Sequence, residues 1–109
     1  MEPITQAQSS SAVPKAAMRA LFELTGQVEL GPAILMTLKD AIEHRLENIV
    51  TQLRSYELRY GMTFDQFEAR GRNGDIQDRS SYRTEQDYFD WDSLVTRQQK
   101  LSELLQWLG

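Results

Sequence analysis

One apolar stripe limits the possible folds of this chain more than any other feature. Eight apolar or aromatic residues recur at spacings of three or four: Leu35, Leu38, Ile42, Leu46, Ile49, Leu53, Tyr56 and Tyr60. This spacing places them on one face of an α-helix. Gly31-Pro32 precedes the stripe and Gly61 follows it, as expected at helix ends. With a rise of 1.5 Å per residue the helix is about 40 Å long, so it needs a helical partner along most of its length.

A second stripe near the C-terminus can supply that partner. It comprises Tyr88, Trp91, Leu94, Val95, Leu101, Leu104, Leu105 and Leu108 on a helix that begins near Thr84. Between the stripes, Thr63 and Gln66 fit a capping box that opens a short helix closed by Gly71, and residues 71–84 are polar and turn-rich. We predict a mainly α fold: an antiparallel hairpin of two long helices with a short corner helix.

Residues 22–30 show a different pattern, a strict alternation of apolar and polar side chains. The apolar positions are Phe22, Leu24, Val28 and Leu30. A period of two is typical of a half-buried strand, so we predict an N-terminal β-strand here. Gly26 indicates a bulge or a turn between two shorter strands. The alternative is a short helix over residues 15–24, with Ala17, Met18, Leu21 and Leu24 on one face.

The remaining N-terminal residues suggest a tail before a single domain. Residues 1–17 contain three consecutive serines and two of the three prolines, with too little apolar surface to offset the entropy of ordering. We therefore predict a flexible tail over 1–17 and one domain over 18–109. Two helices leave apolar surface uncovered, and a lone strand has two open edges. The fold should be completed by homo-oligomerisation or by a partner protein.

Composition excludes several classes of function. Sixteen acidic residues outnumber twelve basic ones, for a net charge of -4, so direct binding to nucleic acid or to a membrane surface is not expected. The chain has no cysteine and one histidine, which excludes thiolate chemistry and a His/His metal pair. We find no membrane-spanning run, no secretory signal and no catalytic or cofactor-binding motif. We expect a cytoplasmic protein that is not an enzyme and needs no cofactor.

The most unusual composition lies in residues 87–92, where aspartates alternate with aromatic residues. One hypothesis is structural: acidic residues suit the start of a helix, and Tyr88 and Trp91 belong to the core. A second is functional: Asp87, Asp90, Trp91 and Asp92 form an acidic surface that docks on a basic protein. A third, Mg²⁺ held by two of these aspartates, has too few ligands.

Two further motifs are better explained as surface features. His44 lies between Asp40 and Glu47 on one helix face, a possible metal or acid–base group, but it falls outside the apolar stripe. A solvated histidine is the better interpretation. Residues 70–74, with two arginines and two glycines, could cradle a phosphate. A helix end followed by a turn explains them more simply.

Residues 56–68, which read Tyr-Glu-Leu-Arg-Tyr-Gly-Met-Thr-Phe-Asp-Gln-Phe-Glu, carry a resemblance to a known family. Preceded by a long helix and followed by a polar loop, an acidic-aromatic stretch and a Leu-rich helix, this segment resembles small prokaryotic antitoxin-like proteins of toxin–antitoxin operons. The resemblance covers residues 22–108. It implies a non-enzymatic protein that neutralises a small toxin, often RNase-like, and it places Tyr60, Gly61, Met62, Phe64 and Phe67 at a structural corner.

Our leading hypothesis is therefore an antitoxin-like protein that binds a partner with a basic surface. Two features could make the contact: the edge of the strand, through Phe22, Leu24, Val28 and Leu30, and the acidic surface at residues 87–92. The alternative is a self-assembling structural or scaffold protein whose ligand is another copy of itself. A carboxylate-metal enzyme is a third, weaker hypothesis because the chain has few titratable groups suited to a site.

Overall fold

Four helices make up almost all of the computed structural model, which describes residues 12–73 and 82–109. They are α1 (Lys15–Thr25), α2 (Leu30–Tyr60), α3 (Phe64–Arg72) and α4 (Tyr82–Leu108). The prediction of a mainly α fold is confirmed. The contacts group the chain into two units, one up to Ala41 and one from Ile42. That the chain forms one domain over 18–109 stays a prediction.

The predicted N-terminal strand is wrong, and the alternative helix is what the chain forms. Phe22 and Leu24 lie in α1, while Val28 lies in the turn before α2 and Leu30 begins α2. No strand occurs within the described ranges. The physical reason is local: residues 15–24 are mostly strong helix formers, whose backbone groups pair within the segment, whereas a strand needs a neighbouring strand.

Gly26 ends α1 in the middle of the alternating segment. It adopts a left-handed conformation (φ 72°), and its amide donates to the Phe22 carbonyl at 2.8 Å, which ends α1. The predicted tail also ends earlier than residue 17, because α1 begins at Lys15. The tail prediction for residues 1–11 lies outside the described residues.

Both ends of α2 follow the sequence signals. Pro32 lies in the first turn, where its missing amide hydrogen costs nothing. At the other end Gly61 is left-handed (φ 67°), and its amide donates to the Glu57 carbonyl at 2.7 Å. The predicted end at Tyr60 is confirmed.

The corner helix α3 opens with the predicted capping box. The Gln66 amide donates to the Thr63 hydroxyl at 3.3 Å, and the Thr63 amide donates to the Gln66 side chain at 3.0 Å. The helix continues one residue past the predicted Gly71 and is capped at Asn73. Of the predicted polar loop, residues 74–81 lie outside the described residues. Helix α4 begins two residues before the predicted start.

The second unit packs around one aromatic side chain, Trp91. It is 0% exposed, and four rings surround it with centroids 5.1–5.7 Å away: Tyr56, Tyr60, Phe64 and Phe67. Ile42, Ile49, Leu53 and Leu101 extend this core along the helices. The order of contacts along α4 is the reverse of the order along α2. Asp87 contacts Tyr60, whereas Trp91, one turn later on α4, stacks on Tyr56, one turn earlier on α2. This is the order expected of the predicted hairpin.

The first unit buries much less. Ala33 is its buried apolar residue, and no residue of α1 is buried. Met18, Leu21 and Phe22 of α1 are half-buried. Folding therefore removes little of this unit's apolar side-chain surface from water.

Candidate functional site

The most polar buried feature of the second unit is the carboxylate of Asp87, near the start of α4. It accepts a hydrogen bond from the Tyr60 hydroxyl at 2.5 Å and another from Arg59 Nη1 at 2.8 Å. The Arg59 guanidinium also lies over the Tyr56 ring, 5.4 Å from its centroid. Asp87 thus links the end of α2 to the start of α4 through charge-assisted hydrogen bonds.

These partners keep Asp87 ionised. Burial by itself raises the pKa of the Asp87 carboxyl, but the hydrogen bonds from Tyr60 and Arg59 and the attraction of nearby arginines outweigh burial, so the pKa lies below its ordinary value. Burial also raises the pKa of Tyr60, and its hydrogen bond to Asp87 raises it further. An ionised Asp87 facing a neutral Tyr60 is the stable state near neutral pH, as a structural link requires.

The placement of Asp87 and Trp91 corrects the proposed acidic docking surface. Both side chains are buried in the second unit, so neither presents itself to a partner in this conformation. For Trp91 and Tyr88, the structural hypothesis is the one that describes their packing. The reason is helical geometry: residues 87, 88 and 91 lie on the same side of α4 as the apolar stripe.

Asp90 and Asp92 remain available at the surface. Asp90 is exposed, and its carboxylate accepts from the Gln86 side chain at 3.1 Å. Asp92 is half-buried. The same segment also presents an aromatic ring that the sequence patterns did not single out: Phe89 is 61% exposed. The accessible part of this segment is therefore an exposed ring with flanking carboxylates.

The four residues assigned to a strand edge lie on helices and a turn. Leu24 and Val28 are strongly exposed, at 74% and 89%, whereas Phe22 and Leu30 are half-buried. Since residues 22–25 are helical, their backbone is not extended and cannot add a strand to a partner's sheet. The exposed Leu24 and Val28 side chains remain candidates for contact with another protein.

The other candidate sites gain no ligand set. His44 is exposed, with Nε2 3.5 Å from the Asn48 side-chain nitrogen. Arg72 pairs with Glu68 at 3.4 Å, within α3 itself. The described ranges hold no group of three or more histidine, cysteine, aspartate or glutamate side chains that could bind a metal ion. The two aspartates of the Mg²⁺ hypothesis do not act together as ligands, because Arg59 and Tyr60 already engage Asp87.

The sequence patterns indicated neither Arg59 as a partner of the buried carboxylate nor Phe89 as a surface residue. The contact of Arg59 with Asp87 spans 28 residues, and no local pattern predicts a pairing at that distance. Phe89 had a usable signal: two residues before Trp91 on a helix, it is rotated by about 200° to the opposite side.

No family model, curated protein or solved structure matches this chain. Among the helices that the structure describes, none is long and apolar enough to cross a bilayer.

Proposed function

We propose that this chain is an antitoxin-like protein that binds a partner protein and neutralises it by covering its surface. The observation that supports this proposal is the uneven burial of the long apolar stripe of α2. Its first two positions, Leu35 and Leu38, are 37% and 44% exposed, whereas Ile42 is 8% exposed. An apolar stripe that continues past the buried core calls for another protein surface, since exposed apolar area favours association.

Further apolar side chains of the first unit are also exposed. Leu24 and Val28 lie on either side of the Gly26 turn and expose most of their area. Their burial in a complex would each contribute on the order of 1 to 2 kcal/mol before the entropic cost of association. We propose that a heterologous, toxin-like protein covers these side chains in the cytoplasm and that the chain also forms a homo-oligomer.

Neutralisation by contact needs no catalytic group in this chain. The ionised Asp87, the one buried acidic side chain among the described residues, is held by Arg59 and Tyr60 and serves the fold. The resemblance of residues 56–68 to antitoxin-like proteins supplies the choice of a toxin as partner. The uncovered apolar surface is the structural support for a partner of any kind.

The test is co-expression with the product of the neighbouring gene. We expect that product alone to arrest growth, the present chain to restore it, and the two to co-purify as a complex of defined mass. Leu35→Gln with Leu38→Gln should weaken both rescue and co-purification. The matched control is Leu58→Gln, an exposed apolar residue of the same helix outside the stripe.

Self-assembly alone is the alternative outcome, favoured by the same exposed stripe. Light scattering on the purified chain separates the two. A large homo-oligomer that binds no second protein would support a scaffold, and a monomer at all concentrations without growth rescue would contradict both functions.

A further inference from the structure

Helix α4 has a second face, opposite its buried stripe, that carries aromatic side chains. Tyr82 and Phe89 are seven residues apart, about two helical turns, and both are exposed. Trp91 points to the core, while Phe89 is on the opposite side. Two large exposed rings on one helix face are typical of contact surfaces, where aromatic residues serve as anchors.

Carboxylates flank Phe89 along this face. Glu85 lies four residues before it and Asp92 three residues after it, so both are its neighbours on the helix surface. The three ion pairs in the described ranges are Arg19–Glu23, Arg59–Asp87 and Arg72–Glu68. Neither Glu85 nor Asp92 takes part in one, so two carboxylates without an ion pair in this part of the chain lie around an exposed ring.

A second helix supports the same surface. The Tyr88 ring meets the Phe89 ring edge-on at 5.5 Å, and the Tyr88 hydroxyl donates to Glu68 of α3 at 3.1 Å. Phe64 of α3 also stacks on the Tyr88 ring, with centroids 5.7 Å apart. Phe89 therefore contacts a packed ring, which Phe64 and Glu68 hold in place, and Glu68 itself is engaged by Tyr88 and Arg72.

We propose that the aromatic–acidic face, defined as Phe89 with Glu85 and Asp92, binds an arginine-bearing segment of a partner protein. This inference rests on the proposed function and specifies its partner. A guanidinium placed over Phe89 gains a cation–π contact while its donors reach the flanking carboxylates. Lysine fits less well, because its ammonium group cannot stack on the ring and pair in a fork at once.

The protein's own structure contains the same combination. The Arg59 guanidinium lies 5.4 Å from the centroid of the Tyr56 ring while its Nη1 donates to Asp87 at 2.8 Å. One arginine thus satisfies an aromatic face and a carboxylate together inside the second unit. The aromatic–acidic face offers the ring and the carboxylates, and a partner's arginine would complete the same arrangement.

The direct test measures binding of fluorescein-labelled oligo-arginine and oligo-lysine peptides of equal length by fluorescence anisotropy. For the full chain we expect the arginine peptide to bind about fivefold more tightly than the lysine peptide. Phe89→Ala should remove that preference, and Phe89→Leu should do the same. Glu85→Gln with Asp92→Asn should lower affinity for both peptides by about tenfold at low salt and flatten the salt dependence.

Leu58→Ala is the matched control. Leu58 is an exposed apolar residue whose helix neighbour one turn earlier is Arg54 instead of a carboxylate, so the peptide affinities should not change. Circular dichroism should show unchanged helicity for every variant, because all substituted side chains except Asp92 are exposed. Equal affinity for the two peptides, or no effect of either Phe89 variant, would overturn the inference in favour of nonspecific attraction to an acidic protein.

The native complex separates this inference from the proposed function. If the partner co-purifies equally with the wild-type chain and with Phe89→Ala, the proposed function stands and the aromatic–acidic face is not its contact. If the wild-type chain has no partner, the proposed function fails, while the peptide preference still decides whether the face recognises arginine.

Discussion

The two units of this chain differ in how far they bury their apolar side chains. In the second unit four aromatic rings enclose Trp91, and aliphatic residues extend the core on both long helices. In the first unit Ala33 is the buried apolar residue, and Leu24 and Val28 are exposed. Both units are helical, so the secondary structure does not explain the difference. Burial depends on what packs against each helix face.

The comparison also holds for polar groups. The second unit buries a carboxylate, Asp87, and supplies it with a hydroxyl and a guanidinium from the neighbouring helix. The side-chain hydrogen bonds and the ion pair described in the first unit connect residues of the same local segment, as Arg19 and Glu23 do. Contacts within one segment fix a helix, whereas contacts between segments fix a tertiary structure.

The largest effect is expected from emptying the centre of the second unit. Trp91→Ala should lower the free energy of unfolding by about 3 to 5 kcal/mol, because it removes the ring that four others contact. Trp107→Ala, at an exposed position, should change it by less than about 0.5 kcal/mol. Urea denaturation followed by circular dichroism measures both. Equal effects would mean that Trp91 does not organise the core.

Amide hydrogen exchange should separate the two units next. We expect amides of α4 around Trp91 to be protected at least about a hundredfold more than those of α1, which has no buried residue and only 11 residues. Mass spectrometry of peptides from the two helices gives the ratio. Similar protection would contradict the difference in stability that the burial of the two units predicts.

Asp87→Asn should have an intermediate effect, a loss of about 1 to 3 kcal/mol at neutral pH, because it weakens two hydrogen bonds to a buried acceptor. The pKa of Asp87 is lowered in the folded state, so its contribution is present above about pH 4 and is lost as pH falls through the folded pKa. Unfolding measured between about pH 6 and pH 2 should therefore vary less with pH in the variant than in the wild type. Parallel curves would contradict the role assigned to the carboxylate.

The smallest effects on stability are expected from alanine substitutions at two glycines of the same backbone conformation. Gly61 and Gly26 both have positive φ and open space where a Cβ would lie, so alanine costs backbone strain of about 1 kcal/mol at either site. Gly61→Ala should lower the melting temperature of the second unit, whereas Gly26→Ala should affect only exchange in α1 and the start of α2. Gly31→Ala, in helical backbone with open space, should be neutral or slightly stabilising. If Gly26→Ala lowers global stability as much as Gly61→Ala, the first unit contributes more than its burial indicates.

Local signals predicted much of the fold. The end of α2 at Tyr60 follows from Gly61, and the start of α3 follows from the capping box of Thr63 and Gln66. Both depend on residues within one turn of the helix end. The prediction of a strand over residues 22–30 was wrong because it rested on a local side-chain pattern alone. An alternating pattern describes side-chain order, but a strand also needs a partner strand, and α1 obtains its hydrogen bonds alone.

The candidate site was harder to predict because its residues lie on opposite faces of one helix. Within residues 87–92, Asp87 and Trp91 face the core while Phe89 and Asp90 face outward. A helical period of 3.6 residues separates these faces. Composition alone grouped them into one acidic surface.

By itself, the sequence determined where the long helices form and end, since the apolar period, the terminal glycines and the capping box act over a few residues. Only the tertiary structure decided which side chains are enclosed and which remain at the surface. That decision arises from contacts such as Arg59 with Asp87, which lie far apart along the chain. Hydrophobic and electrostatic energies depend on the surroundings of a group, and those surroundings exist only after the helices pack.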